Sequence, residues 1–343
     1  MDQEQSIADI KATTLLEAAA LSLSRKVQAP NAAKLQQAAA PQPQEPSSSS
    51  RRDWVDFDKL NEDDPQAVSA YVVSICAYLR EAELTKRASS RYLENVQMDI
   101  NAKMRAILVD WLVEVSEEYK LCADTTYQAV NYLDRYLSLE VVKRSQLQLV
   151  GVSCMWLAAK FEEIYPPNVA DFCYITDNTY SKAQLIHMEE VVLKKLRYEL
   201  TVPTAKTFLR RLLQICNPDE LLHFLSNYLA ELSLLDYGML RFLPSVIAAA
   251  AIFLTNVMLR RPAWSANLRH YSTYMPADIR SCVLALAAVH QAVTTSPNLA
   301  ALRDKYAHAR FQNVSGMPPT SVSALSAVLA ENGAAGSGGS SRQ

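Results

Sequence analysis

Glycine is scarce in this chain. Of its 343 residues only 7 are glycine, and four of those (Gly333, Gly336, Gly338 and Gly339) fall among the last eleven. Between residues 53 and 332 there are three, Gly151, Gly238 and Gly316. A dinucleotide fold or a P-loop needs clustered glycines, for tight turns and for close approach of backbone to phosphate. No such cluster exists, which excludes nucleotide enzymes of those types. A surplus of one charge is also lacking. The 34 Lys and Arg stand against 36 Asp and Glu, a formal net charge of -2. The basic excess of a general nucleic-acid binder is therefore missing.

Metal-ligand and catalytic patterns are missing as well. The six cysteines (Cys76, Cys122, Cys154, Cys173, Cys216, Cys282) form no C-x-x-C pair. A structural zinc needs closely spaced thiolate or imidazole ligands, so no metal is expected. Isolated cysteines inside apolar runs read as small buried hydrophobes in a reducing compartment. His187, His223, His270, His290 and His308 lie far apart, and none sits in an H-E-x-x-H pattern. Adjacent carboxylates occur at Glu117-Glu118, Glu162-Glu163 and Glu189-Glu190. Neighbours on a helix point in different directions, so these pairs read as solvated faces and do not converge on a substrate. No cofactor site and no enzymatic centre emerge. The basic doublets Lys86-Arg87, Arg210-Arg211 and Arg260-Arg261 are explained by solvation or by complementing helix dipoles.

Long hydrophobic runs of membrane type are absent. The uncharged run 242–259 carries Pro244, Ser245 and Asn256, and the run 281–302 carries His290, Gln291 and Pro297. A spanning helix needs about 20 predominantly apolar residues, so both read as buried helices of a soluble core. The opening MDQEQSIADIKATT is acidic and polar, unlike a secretory signal.

What the chain does have is helix after helix between two polar ends. Residues 1–50 hold no aromatic residue, seven Gln, four Pro and the run Ser47 to Ser50. Such a segment buries too little apolar surface to offset its chain entropy. Leu15 to Leu23 is at most a transient helix, and order is expected from near Trp54. From Gly333 the chain reads as a flexible tail. Val68, Val72, Ile75 and Leu79 form an amphipathic stripe that predicts a helix over 65–83. Residues 101–119 start at an Asn101 cap and are apolar on nearly every side. Asp124 is expected to cap the next helix, with Tyr127, Val130, Leu133 and Leu137 on one face. A helix over 145–162 stops at Pro166-Pro167, and 168–174 and 181–196 follow before Pro203 breaks the pattern. After it, 204–215, 218–235, 244–259 and 276–294 read as helical, with a shorter helix between Trp264 and Tyr271. Pro sits near the first turn of three of them, where its missing N–H costs least.

A weak internal repeat links the halves. Asn131-Tyr132-Leu133 matches Asn227-Tyr228-Leu229, and a small-residue helix follows each: Gly151, Ser153, Cys154, Ala158 and Ala159 in one, Ala248 to Ala251 in the other. Two similar all-α domains of about 100 residues each are inferred, hinged near Thr201–Pro203.

Two features exceed what a core requires. Met104, Ile107, Trp111 and Glu114 form one stripe on 101–119, with Leu108, Leu112 and Val115 beside them. Either both stripes are buried, or one is a partner groove with a carboxylate at its edge to pair a cation. Arg105 and Asp134 are charges between apolar residues of helices expected to be buried. Either they pair with each other or both reach solvent.

At MRAILVDWLVEVSEEYKL (104–121) the sequence resembles the first helix of a cyclin box. NYLDRYLS (131–138), LQLVGVSCMWLAAKFEEIYPP (147–167), FCYITDNTY (172–180) and MEEVVLKKL (188–196) follow in the family's order. From TVPTAKTFLRRLL to FLPSVIAAAAIFL the chain resembles the second cyclin box, and the similarity covers roughly residues 60 to 315. It is most similar to A-type cyclins, and LNEDDPQAVSAYVVSICAYLREAE is most like plant or green-algal members.

The resemblance implies an all-α fold of two tandem five-helix cyclin boxes with an N-terminal helix and disordered termini. Its parts would be a disordered segment 1–52, a helix and linker 53–100, boxes at 101–200 and 201–320, and a flexible tail 321–343. It implies a regulatory subunit that activates a cyclin-dependent Ser/Thr kinase and acts between S phase and G2/M, without catalytic residues or cofactor of its own. By the same resemblance, Lys160 and Glu189 anchor the kinase's C-helix, Phe161, Leu193, Tyr198 and Leu200 supply an apolar docking face, and Glu162 and Glu163 meet basic kinase residues. Met104, Ile107, Trp111 and Leu147 match an exposed patch that docks Arg-x-Leu substrates and inhibitors, with Glu114 pairing the arginine and Gln148 holding the peptide backbone. Arg105 and Asp134 match an internal ion pair of the family. Neither nucleic acid nor membrane is an implied partner. Residues 1–60 contain no Arg-x-x-Leu and no Lys-Glu-Asn, which departs from many mitotic members. A basic import cluster is missing too, so the expected nuclear location, alongside a cytoplasmic one, would depend on the kinase. The rival readings are a DNA-touching protein with tandem cyclin folds, which the balanced charge disfavours, and a cyclin fold that has lost its kinase, which Lys160 and Glu189 disfavour.

Overall fold

The structure, a computed structural model, describes residues 53–334, and among them no strand occurs. Expectations for 1–52, the 15–23 helix included, and for 335–343 lie outside the described residues. Three short or peripheral helices come first: α1 (Phe57–Leu60), α2 (Val72–Thr85) and α3 (Tyr92–Asn95). Five helices follow: α4 (Ala102–Glu118), α5 (Ala123–Leu137), α6 (Leu147–Glu162), α7 (Val169–Tyr174) and α8 (Lys182–Lys195). A second set of five repeats the arrangement: α9 (Ala205–Cys216), α10 (Glu220–Leu232), α11 (Pro244–Met258), α12 (Ala266–Ser272) and α13 (Pro276–Thr295). The chain closes with α14 (Ala301–Ala307) and α15 (Val322–Ala334).

Local chemistry sets the helix starts. Asn101 Oδ1 accepts from the Met104 N–H at 3.0 Å. Asn168 with Asp171, Ser181 with Gln184, and Thr204 with Thr207 form reciprocal capping boxes. Asp219 caps α10, while Pro244 and Pro276 open α11 and α13. Each set is built round its third helix. In α6 every residue from Leu149 to Ala159 is buried, and in α11 every residue from Ile247 to Asn256. The repeat read from sequence thus falls at matching places, since Asn131 and Asn227 lie on the second helix of each set. Small side chains permit the close packing. A Cβ at Gly151 would lie 2.8 Å from Leu108 Cδ1, so α4 rests almost directly on α6.

Several expectations need correcting. The first long helix begins at Val72 and not at 65, because the chain turns at Val68, which holds a left-handed φ of 52°. Only Val72 and Leu79 of the stripe face inward, while Val68 and Ile75 are exposed. Asp124 stands in the first turn of α5 and does not cap it. Glu163 takes that part from outside the helix, accepting the Cys122 N–H at 2.8 Å. The 321–343 segment is not wholly a tail: residues 322–334 form α15, whose Leu325 and Leu329, four apart, are buried while the helix packs on α13. The basic doublets are cross-links. Arg210 pairs with Asp124 at 2.6 Å, Arg211 with Asp58, and Arg261 with Asp219 at 2.5 Å. Arg87 donates to the carbonyls of Leu240 and Phe242.

Arg105 and Asp134 do pair. Nε and Nη2 of Arg105 donate to the two carboxylate oxygens of Asp134 at 2.7 and 2.6 Å, with both side chains almost wholly buried. Tyr92 OH donates to Asp134 Oδ1 at 2.8 Å. The remaining Arg105 Nη1 donates to the Leu234 carbonyl, beyond the end of α10, at 2.8 Å. Burial, the largest single influence, would lower the guanidinium's pKa, but the charge and hydrogen bonds of Asp134 together with Tyr92 outweigh it and the net shift is upward. One cluster therefore joins the leading segment, both first helices and the second box. Asp134→Ala would strand a buried cation, and we expect a loss of about 3–5 kcal/mol of unfolding free energy. Urea unfolding followed by circular dichroism checks this, and a change under about 1 kcal/mol would contradict the role.

Candidate functional site

Lys160 lies in the last turn of α6, where its charge complements the carbonyl end of the helix. Its Nζ pairs with Glu189 Oε1 on α8 and stands 3.8 Å from the centroid of the Trp156 ring. A carboxylate and an aromatic face thus fix one long side chain that keeps 37% of its surface exposed. The sequence showed both residue types; only the packing of α6 on α8 brings them together.

Around this pair the surface is apolar. Phe161 is 44% exposed. Beyond it the helix ends, and Ile164 and Tyr165 stand 88% and 91% exposed before Pro166-Pro167. Sequence reasoning missed these two. The available signal was an apolar pair carried out of a helix by a double proline. Leu193 and Leu200 are half-buried, and Tyr198 is 64% exposed. Arg197 and Tyr198 both hold left-handed φ, 54° and 58°, a strained choice for an aromatic residue. The strap is pinned from α5. Tyr132 OH donates to the Leu200 carbonyl at 3.0 Å and Arg135 Nη1 to the Glu199 carbonyl at 2.8 Å.

The two acids after Phe161 differ. Glu162 is half-buried, and burial, then the charge of Asp124, pushes its carboxyl upward. Glu163 turns inward and accepts from Cys122 N–H and the Thr125 hydroxyl, so one of its oxygens is already engaged in capping α5.

The stripes on α4 separate cleanly. Leu108, Leu112 and Val115 are core, whereas Ile107 is 44% exposed and Met104 and Trp111 are half-buried. Glu114 continues this outer face and is exposed. Among the described residues it has no cationic partner. Partial burial, Asp110 and Asp304 all raise its carboxyl pKa, which marks a site short of positive charge. Gln148 on α6 is half-buried, but Leu147 is only 5% exposed and belongs to the core beneath, not to an exposed patch. The reason is its place as the first residue of α6, facing the packed interior. Among the described residues no cluster of His, Cys, Asp and Glu could hold a metal, and no helix is long and apolar enough to cross a membrane.

The family model for the cyclin N-terminal domain matches residues 74–201, and that for the cyclin C-terminal domain matches 203–320. The chain belongs to the cyclin family. Its curated relatives include A-type plant cyclins. Cyclin-A1-2 of Oryza sativa subsp. japonica is 48% identical over 270 residues, covering 76% of this chain and 56% of that one. Putative cyclin-A3-1 of Arabidopsis thaliana is 47% identical over 265 residues, covering 75% and 74%. The cyclin thus spans about half the length of the first of these. Among solved structures, a viral cyclin from herpesvirus saimiri superposes with a TM-score of 0.56 at 20% identity, over 67% of this chain and 98% of that one. That likeness concerns the fold.

Ile164 and Tyr165 are too exposed for the fold to depend on them. The double variant Ile164→Ser, Tyr165→Ser should therefore shift unfolding free energy by no more than about 0.5 kcal/mol. Leu157→Ala, inside α6, should cost about 2–5 kcal/mol. Denaturant titration of the two variants side by side tests the contrast, and equal losses would place the exposed pair in the core.

Proposed function

We propose that this cyclin is the regulatory subunit of a cyclin-dependent Ser/Thr kinase and performs no chemistry itself. The observation that carries the reading is the ledge of Phe161, Ile164, Tyr165 and Tyr198 beside the Lys160–Glu189 pair. It is apolar, uncovered by the described residues and framed by a fixed ammonium. A kinase needs its C-helix glutamate paired with the strand lysine and its activation loop clear of the site. A surface that binds only the inward C-helix stabilises that state by its differential affinity. On the ledge, apolar burial would supply the energy. Lys160, held by Glu189 and Trp156, would offer its remaining N–H groups to carbonyls at the end of the kinase helix and so set register. Glu162 remains available for a basic kinase residue, while Glu163 would have to leave its cap or use its second oxygen. The nuclear location expected from the resemblance would follow from entry with the kinase.

Truncating one member of a hydrogen-bonded charge pair that becomes buried at an interface typically costs about 2–5 kcal/mol. The double variant Lys160→Ala, Glu189→Ala should lose kinase activation in a co-purified complex while its helical circular dichroism stays unchanged. Full activation by the folded double variant would remove the proposal.

We also propose that Met104, Ile107, Trp111, Glu114 and Gln148 dock Arg-x-Leu segments of substrates and inhibitors. The support is Glu114, whose carboxyl is raised by partial burial, Asp110 and Asp304 and which has no cationic partner among the described residues, at the end of a half-exposed apolar stripe. The peptide's arginine would meet this carboxylate and its leucine the stripe. Docking there raises the effective substrate concentration without touching the kinase active site. Such a peptide should bind Trp111→Ala at least about tenfold more weakly than wild type by fluorescence polarisation. Equal binding would argue against the patch.

A further inference from the structure

A cavity of about 90 Å³ lies at the junction of the two boxes, and none of its lining residues belongs to the ledge or to the docking stripe. Its walls come from α5, from the linker at Arg87 and Ala88, from the start of α9, and from the stretch 233–247 that leads from α10 into α11. Val130, Pro203, Leu240, Phe242 and Ile247 give it an apolar lining. Arg105 and Asp134 also reach it, but they are spent on each other and on Leu234 and Tyr92. Two lining residues on α5 are not spent. Tyr127 OH and Asn131 Oδ1 are buried and have no hydrogen-bond partner among the described residues. Residues four apart on a helix share a face, so α5 presents both to the same side. A buried oxygen left unpaired is costly, and native folds keep few of them. Burial, then the charges of Glu231 and Asp124, pushes the Tyr127 phenol pKa far up, so it keeps its proton and stays a donor. Asn131 Oδ1 can only accept.

We propose that this cavity binds a small phenolic compound, its hydroxyl between Tyr127 and Asn131 and its ring among the apolar side chains. The occupant has to accept one hydrogen bond and donate another close beside it, from an otherwise apolar body. A single hydroxyl does both, since it carries one donor and two acceptor lone pairs. The ring would also meet Arg87, whose guanidinium is fixed at the lining by the carbonyls of Leu240 and Phe242 and suits an aromatic face. Water is a poorer occupant. Filling about 90 Å³ would take several molecules, and the apolar lining offers them few partners. Because both boxes supply the walls, a bound ring would touch both and stabilise their junction.

The test uses the full chain without kinase, so its outcome does not depend on the function proposed above. Para-fluorophenol is titrated against the protein and followed by fluorine NMR, with fluorobenzene and para-fluoroanisole as controls. Both controls carry the same ring, but neither has a hydroxyl to donate. Para-fluorophenol should bind saturably and at least about tenfold more tightly than either. Tyr127→Phe removes only an unpaired oxygen, so it should keep the thermal midpoint while losing most of that preference. Asn131→Leu should lose it as well, with fluorobenzene binding unchanged. Should Asn131→Leu fail to fold, Tyr127→Phe carries the test. Equal binding of the three probes, no saturable binding of para-fluorophenol at millimolar concentration, or an unaltered preference in the folded variants would each overturn the proposal.

Discussion

The fold hangs on one desolvated ion pair. Arg105 and Asp134 lie at the junction of α4 and α5, among residues too apolar to solvate either charge. A buried guanidinium must find acceptors for its donors, and here they come from different parts of the chain: both oxygens of Asp134 and the carbonyl of Leu234. Tyr92 adds the leading segment through its own hydrogen bond to Asp134. The cost of leaving any of these groups unpaired is what ties the second box to the first. Apolar packing alone would tolerate small displacements between the boxes; a satisfied buried network tolerates few arrangements.

That junction has consequences at both ends of the first box. With α4 locked against α5, the face carrying Leu108, Leu112 and Val115 is spent on the core, and the neighbouring face stays outside. The same core holds α6 and α8 together, so that Lys160 meets Glu189 at the rim and Phe161 and the residues after it project outward. The strap from Arg197 to Leu200 adds Tyr198 to this ledge only because Tyr132 and Arg135 of α5 grip its carbonyls. Both surfaces are by-products of one packing solution, and each leaves exposed what the core could not use.

Much of this was legible in the residues. Asn101 announced its helix because a cap is a local hydrogen bond between near neighbours, and the helices expected from 168, 181 and 204 do open on capping boxes. The paired small-residue helices announced the two boxes, and the isolated charges at 105 and 134 left two readings, pairing or solvent, of which the fold takes the first. Misreadings came where distant groups intervened. Asp124 looked like a cap, but Glu163 arrives from another helix to do it. Leu325 and Leu329 sat in what read as a tail, and gained their order from α13. Leu147 looked like part of a surface stripe, yet it faces the interior.

The amino-acid sequence by itself determined the helices, their capped beginnings, the two-fold repetition and the membership of a family, because each depends on periodicity, on near neighbours or on order along the chain. Only the tertiary structure decided which apolar stripe of α4 is left to solvent and which carboxylate meets Lys160. Those outcomes depend on what packs opposite a side chain, and elements tens of residues away in the chain supply it.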